Sequence, residues 1–241
     1  MDIYNRYIRA IAGICFLIGF SAQANITIYP MAVGLDSKGE GSVRILSKTN
    51  EVQFVKTKLL KIIHPGTPEE KEIVIEPGGE NSLAIMPPKF AIPGGSSKLI
   101  RFVAMDTPEK EVLYRVMFES VPSLDETASE NTTTSIKTDL SVNLVWGILV
   151  TVPPRQPKID ISITPDHQFL QNNGTQRVKI SDVGLCQRGE KEADCLWKKD
   201  NRNLFPDKQY TLPATAGYEK LMIKYKNWID QKITTTEFNL N

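Results

Sequence analysis

The side chains that could do covalent or acid–base chemistry are few and scattered. The chain has two histidines, His64 and His167. His64 closes a lysine-rich stretch and precedes Pro65, and His167 sits in a polar turn. A nucleophilic triad needs a base between a nucleophile and an orienting acid, and a structural zinc wants four ligands. Two isolated histidines provide neither, so the residues point to no catalytic centre and no metal. Pro93-Gly94-Gly95-Ser96-Ser97-Lys98 lacks the G-x-x-x-x-G-K-[ST] spacing of a phosphate loop and reads as a turn. Of the three cysteines, Cys15 lies in an apolar leader, leaving Cys186 and Cys195. An even pair in an exported chain makes a disulfide the default. Zinc is the rival reading, but neither histidine flanks the pair. The loop the bond closes is short, so chain entropy gives it about 2.5–3 kcal/mol.

The leader supports export. Arg6 and Arg9 give a basic start, Ile11 to Phe20 is apolar, and Ala22-Gln23-Ala24 fits the small-x-small cleavage rule. Residues 1–24 are expected to be removed, so that the mature chain starts at Asn25. The apolar run is shorter than the roughly 20 residues of a spanning helix, and no later stretch is long enough, so no membrane insertion is expected after cleavage. The net charge of +1 and the interspersed charges offer nothing to nucleic acid. The remaining length suits one large domain or two ordinary ones.

The elements that would position any site read as strands. Short runs of Val, Ile, Thr and aromatics alternate with turn signals such as Gly39-Glu40-Gly41, Pro65-Gly66-Thr67-Pro68, Pro77-Gly78-Gly79 and Pro93-Gly94-Gly95. Val52 to Ile63, Leu99 to Val103 and Val112 to Val121 are strand candidates, the first with a lysine-rich outer face. This spacing predicts an all-β sandwich. Ser120 to Lys137 is polar and aperiodic, and predicts an exposed loop. From Leu140 to Val152 every even position is apolar: Leu140, Val142, Leu144, Trp146, Ile148, Val150 and Val152. Period two places these on one strand face. Such a strand would reach about 43 Å, so one end should outrun its own sheet. The half beginning at Leu140, with polar odd positions, is the projecting end. Pro153 to Pro157 stops the strand. A sandwich over 25–153, a linker over 154–158 and a second β-domain over 159–241 follow, the last holding Ile159 to Ile163, a hairpin-type turn at Asn172-Asn173-Gly174-Thr175, and closing strands at Leu221 to Tyr225 and Ile233 to Leu240.

This order of features resembles the periplasmic chaperones of the chaperone–usher pilus pathway, and most nearly their alternate branch serving colonisation-factor type fimbriae. The resemblance is carried by Leu113-Tyr114-Arg115-Val116 with Phe118, by Gly147-Ile148-Leu149-Val150-Thr151-Val152-Pro153-Pro154-Arg155-Gln156, and by Gly184-Leu185-Cys186 with Cys195. It spans essentially the whole mature chain.

The resemblance implies two immunoglobulin-like sandwiches and a periplasmic chaperone, not an enzyme, without cofactor. Such a chaperone binds pilus subunits, pilin and possibly a tip adhesin, by donor-strand complementation, a form of β-augmentation, and passes them to an outer-membrane usher. Leu140, Val142, Leu144, Trp146 and Ile148 would then be the donor residues. Glu111, Arg155 and Asp230 match the acid, base and acid that set the angle between the domains. The better-known branch anchors the subunit's carboxylate with Arg and Lys at positions that fall here near Ala32 and at Thr151, neither of which supplies a charge. Arg115, which shares a strand face with Glu111, is the replacement expected, with a hydroxyl contribution from Thr151. The alternative is a secreted immunoglobulin-like pilus subunit or adhesin. A subunit needs a donor extension at its N-terminus, and Asn25 to Tyr29, followed at once by Pro30, is short for one.

Overall fold

Alternation decides which side chains enter the first core. In β3 (Glu40–Ser47), Val43 and Ile45 are buried while Arg44 between them is exposed. In β9 (Val112–Val121), Tyr114, Val116 and Phe118 point inward. In β10 (Val145–Val152) the inward set is Ile148, Val150 and Val152. A computed structural model describes residues 25–124 and 144–240. One sheet of the first sandwich orders β1 (Ile26–Tyr29), β3, β8 (Ser97–Ala104) and β6 (Leu83–Met86). The other orders β2 (Ala32–Gly34), β10, β9, β4 (Gln53–Ile63) and β5 (Lys71–Ile75), and β7 (Lys89–Ile92) also pairs with β4. Their inner faces make one core that includes Ile26, Ile45, Leu59, Phe102, Phe118 and Ile148. The lysines expected on the outer face of β4 hold only its first half, at Lys56 and Lys58. Further along that face Leu60 and Ile62 are buried.

A second core forms around Leu170, Val178, Ile180, Leu221 and Ile223. Its sheets are β11 (Ile161–Ile163), β12 (Phe169–Asn172) and β15 (Gln209–Thr211) on one side. On the other lie β14 (Leu196–Leu204), β13 (Val178–Cys186), β16 (Lys220–Asn227) and β17 (Ile233–Asn239), in that order. The architecture is therefore two β-sandwiches, as the turn spacing predicts. β14 had no sequence signal, because its Leu-Trp-Lys-Lys-Asp-Asn-Arg-Asn-Leu has neither alternation nor β-branched residues. β9 continues to Val121, so the first residues of the expected polar loop are strand. The rest of that loop beyond Leu124, the leader over 1–24, and Leu140 and Val142 lie outside the described residues.

The two sandwiches are stitched at the turn after β12. Asn172 is fully buried and donates to the Gln176 and Leu204 carbonyls, each at 2.9 Å. Its Oδ1 accepts from the Gly174 N–H at 2.9 Å. A Cβ on Gly174 would stand 2.4 Å from the Lys158 carbonyl, so only glycine lets the linker's end lie on this turn. Thr175 then donates to the Gln156 carbonyl through its hydroxyl at 2.7 Å, and to the Lys158 carbonyl through its N–H at 2.9 Å. The prolines and these bonds leave the linker little freedom.

Candidate functional site

One edge of β10 is open for half its length. β9 pairs with all of it, from Val145 opposite Glu119 to Val152 opposite Val112. On the other side β2 runs parallel only to Leu149–Thr151. The Leu149 N–H donates to the Met31 carbonyl at 3.1 Å, and the Leu35 N–H donates to the Thr151 carbonyl at 2.9 Å. Odd residues thus turn their backbone groups to this edge. By the same period Gly147 and Val145 present theirs beyond the end of β2, where no described strand is in register with them. Such a row of free N–H and C=O groups is a template for another strand.

The side chains along β10 divide by position. Ile148 and Val150 are 0% exposed and Val152 is 3% exposed, and Trp146 packs against the same core. Leu144 and Val145 are 47% and 42% exposed. Ile148 therefore belongs to the protein's own core and not to an exposed donor face, because the sandwich closes over it. Among the described residues the apolar face becomes free at Leu144.

A cleft of about 720 Å³ separates the sandwiches, with Gly34, Thr151, Arg155, Arg177, Phe205 and Trp228 on its walls. Beside it Glu111 is buried, its side chain 2% exposed. Its Oε1 accepts from Arg177 Nη1 at 3.3 Å and its Oε2 from Trp228 Nε1 at 2.7 Å. Its N–H donates to the Thr175 carbonyl at 2.9 Å. Burial pushes the Glu111 carboxyl above its ordinary range, against the pull of Arg177. The Arg177 guanidinium lies over the Trp228 ring at 4.6 Å and the Phe205 ring at 5.7 Å, and its Nη1 reaches Thr151 Oγ1 at 3.4 Å. Arg177 is held by the buried Asn172 turn, and Trp228 by the β16–β17 hairpin. There Ile229 N–H donates to Asn227 Oδ1 and Lys232 N–H to Asp230 Oδ1, both at 2.9 Å.

The expected cluster of Glu111, Arg155 and Asp230 does not form. Arg155 pairs with Glu109 at 3.2 Å on the surface, and Asp230 caps the hairpin turn. Both oxygens of Glu111 are already taken by Arg177 and Trp228, two residues with no sequence signal linking them to it. Thr151 is buried in the cleft wall beside Arg177. Arg115 lies further out, opposite Leu149, and its Nε donates to Glu72 Oε1 at 2.5 Å. Cys186 and Cys195 are bonded, with Cα atoms 4.5 Å apart, joining the end of β13 to the start of β14. β1 is paired with β3 from Ile26 to Tyr29, so it is no free donor extension. Among the described residues no three His, Cys, Asp or Glu side chains are placed to hold a metal, and no helix is long and apolar enough to cross a membrane.

Comparison with known proteins decides the family. The profile of the pili and flagellar-assembly chaperones, PapD N-terminal domain, matches residues 37–147. A CFA/I fimbrial protein of Escherichia coli is 33% identical over 209 residues, which is 85% of this chain and 87% of that protein. The chain belongs to the pilus-assembly chaperone family. The crystal structure of the class 5 fimbriae chaperone CfaA superposes on this chaperone with a TM-score of 0.77 at 30% identity, covering 89% of this chain and 98% of that one. A chaperone–tip adhesin complex vital for synergistic activation of CFA/I fimbriae biogenesis gives a TM-score of 0.71 at 29% identity, again covering 89% and 98%. The match covers both sandwiches of the chaperone, and its colonisation-factor neighbours agree with the branch that the Tyr114-Arg115 strand and the Cys186–Cys195 pair resemble. The reading as a pilus subunit falls with it.

Proposed function

We propose that the mature protein, freed of residues 1–24, works in the periplasm as a non-enzymatic chaperone. It captures pilus subunits on the open edge of β10 and delivers them to an outer-membrane usher. The single observation that carries this reading is the unpaired stretch at Val145–Gly147, continuous with the exposed Leu144. A subunit strand laid there gains backbone hydrogen bonds, and alternate side chains set its register. Leu140, Val142, Leu144 and Trp146 form the donor face, with Ile148 as the last residue before the core. In the cleft, Thr151 and Arg177 supply a hydroxyl and a cation beside one another for the subunit's terminal carboxylate. Arg115, engaged by Glu72, is the competing contact.

Co-expression of the full-length protein with a fimbrial subunit, followed by fractionation of the periplasm, tests the function. The expected result is a soluble one-to-one complex with the chaperone lacking residues 1–24. Subunit that degrades or aggregates equally with and without this chain would overturn the reading.

A further inference from the structure

Strand β2 closes part of the β10 edge, yet little of its own packing holds it there. It has three residues, of which Ala32 and Gly34 are exposed and Val33 is half-buried. Its ties to β10 are the two backbone bonds at Leu149 and Thr151. Trp228 of the second sandwich supplies what the strand lacks. A Cβ built on Gly34 would stand 2.4 Å from Trp228 Cζ3 and 3.1 Å from Cε3, so the benzo edge of the indole lies directly on the Gly34 backbone. The indole N–H of the same residue donates to Glu111, which immediately precedes β9. β2 and β9 are the two neighbours of β10. One side chain of the second sandwich thus touches both flanks of the capturing strand, while Arg177 stacked on its face fixes the ring.

We propose that Trp228 is a positioning residue for capture. It clamps β2 onto β10, so it sets where the open edge ends and ties that edge to the orientation of the second sandwich. Without the clamp, β2 frays and the open edge extends from Val145–Ile148 into Leu149–Thr151. A subunit strand then has two registers available instead of one, and its complex is shorter-lived. Glycine at position 34 is required by the close approach of the ring. The capture arm of this inference rests on the reading that β10 is the capturing edge; the clamp itself does not.

The test compares the full-length protein with Trp228→Ala, Trp228→Phe and Gly34→Ala, by amide hydrogen exchange in the free protein and by the dissociation rate of a purified subunit complex. Leu149 donates across the β2–β10 seam and Val150 faces β9, so their amides report the clamp and the fold separately. Trp228→Ala and Gly34→Ala should each speed Leu149 exchange about tenfold, with Val150 and the melting temperature little changed. Both should shorten the subunit complex's lifetime, whereas Trp228→Phe keeps a ring on Gly34 and should leave Leu149 protected. Leu149 exchange that is unchanged in both variants, or that rises only in step with Val150, would overturn the clamp. If Leu149 exchange responds but subunit dissociation does not, the clamp stands and its role in capture is refuted. A Leu144→Glu control that still binds subunit normally would instead refute capture on β10.

Discussion

Leu144→Glu and Ile148→Ala should separate capture from folding, although the two residues lie on the same face of one strand. Ile148 is 0% exposed, and deleting a buried isoleucine to alanine costs about 2–5 kcal/mol through lost burial and the cavity left behind. That loss should appear as a lower denaturation midpoint. Leu144 is 47% exposed in the free protein, so a substitution there should move stability by only about 0.5 kcal/mol. Full burial of a leucine is worth about 1.5–3 kcal/mol, and about half remains to be gained on binding. Leu144→Ala should therefore weaken subunit binding about fivefold. Leu144→Glu adds a carboxylate with no partner in an apolar groove, a penalty of several kcal/mol, and should weaken binding by more than about 100-fold. Urea denaturation of each variant beside titration with a purified subunit reads both quantities. If Leu144→Glu unfolds the protein as far as Ile148→Ala does, Leu144 is core and the donor face is wrong. If Leu144→Glu folds and binds normally, capture does not use this strand.

Three further perturbations test the rest of the account. Burial raises the folded-state pKa of Glu111 above its ordinary 4.5, so the native protein holds that proton more tightly than the unfolded chain. The stability of the wild type relative to Glu111→Gln should then increase as the pH falls from neutral through the raised pKa toward 4.5, and a flat or shrinking difference in urea midpoints would contradict it. Arg177→Ala strands a buried carboxylate and should cost about 3–5 kcal/mol at neutral pH. In the Glu111→Gln background the same change should cost clearly less, as a double-mutant cycle would show. Replacing Cys186 and Cys195 together by serine should lower the unfolding free energy by about 2.5–3 kcal/mol in oxidising buffer, and the variant should no longer respond to reductant.

Strand identity was legible wherever one face is buried. β9 has the bounds its alternation predicts, Val112–Val121, because Tyr114, Val116 and Phe118 face a core while their neighbours do not. β14 was not legible, since the polar Lys198 to Asn203 stretch is an outer strand held by backbone pairing to β13. The cysteine pair was readable because export and an even count leave few choices. The interdomain cluster was not. Glu111 stands 66 residues from Arg177 and 117 from Trp228, and period-two reasoning says nothing about which strand ends meet across a cleft. The resemblance led to Arg155 and Asp230, charges of the right type in the right neighbourhood. The structure instead uses an arginine placed by a buried asparagine turn and a tryptophan at a hairpin tip. Nor could alternation say where the apolar face of β10 leaves the core, because that depends on where the opposite sheet ends.

The central claim is that the strand of a pilus subunit joins the open edge of β10. Amide hydrogen exchange at Val145 and Gly147, in the free protein and in its purified subunit complex, tests it most directly. In the free protein these amides face solvent and should exchange rapidly, while Leu149, bonded to Met31, is protected. On binding, both should slow by about 100-fold or more as they acquire strand partners. Unchanged exchange at Val145 and Gly147, with new protection on the outer edge of β5 or β17 instead, would contradict the account.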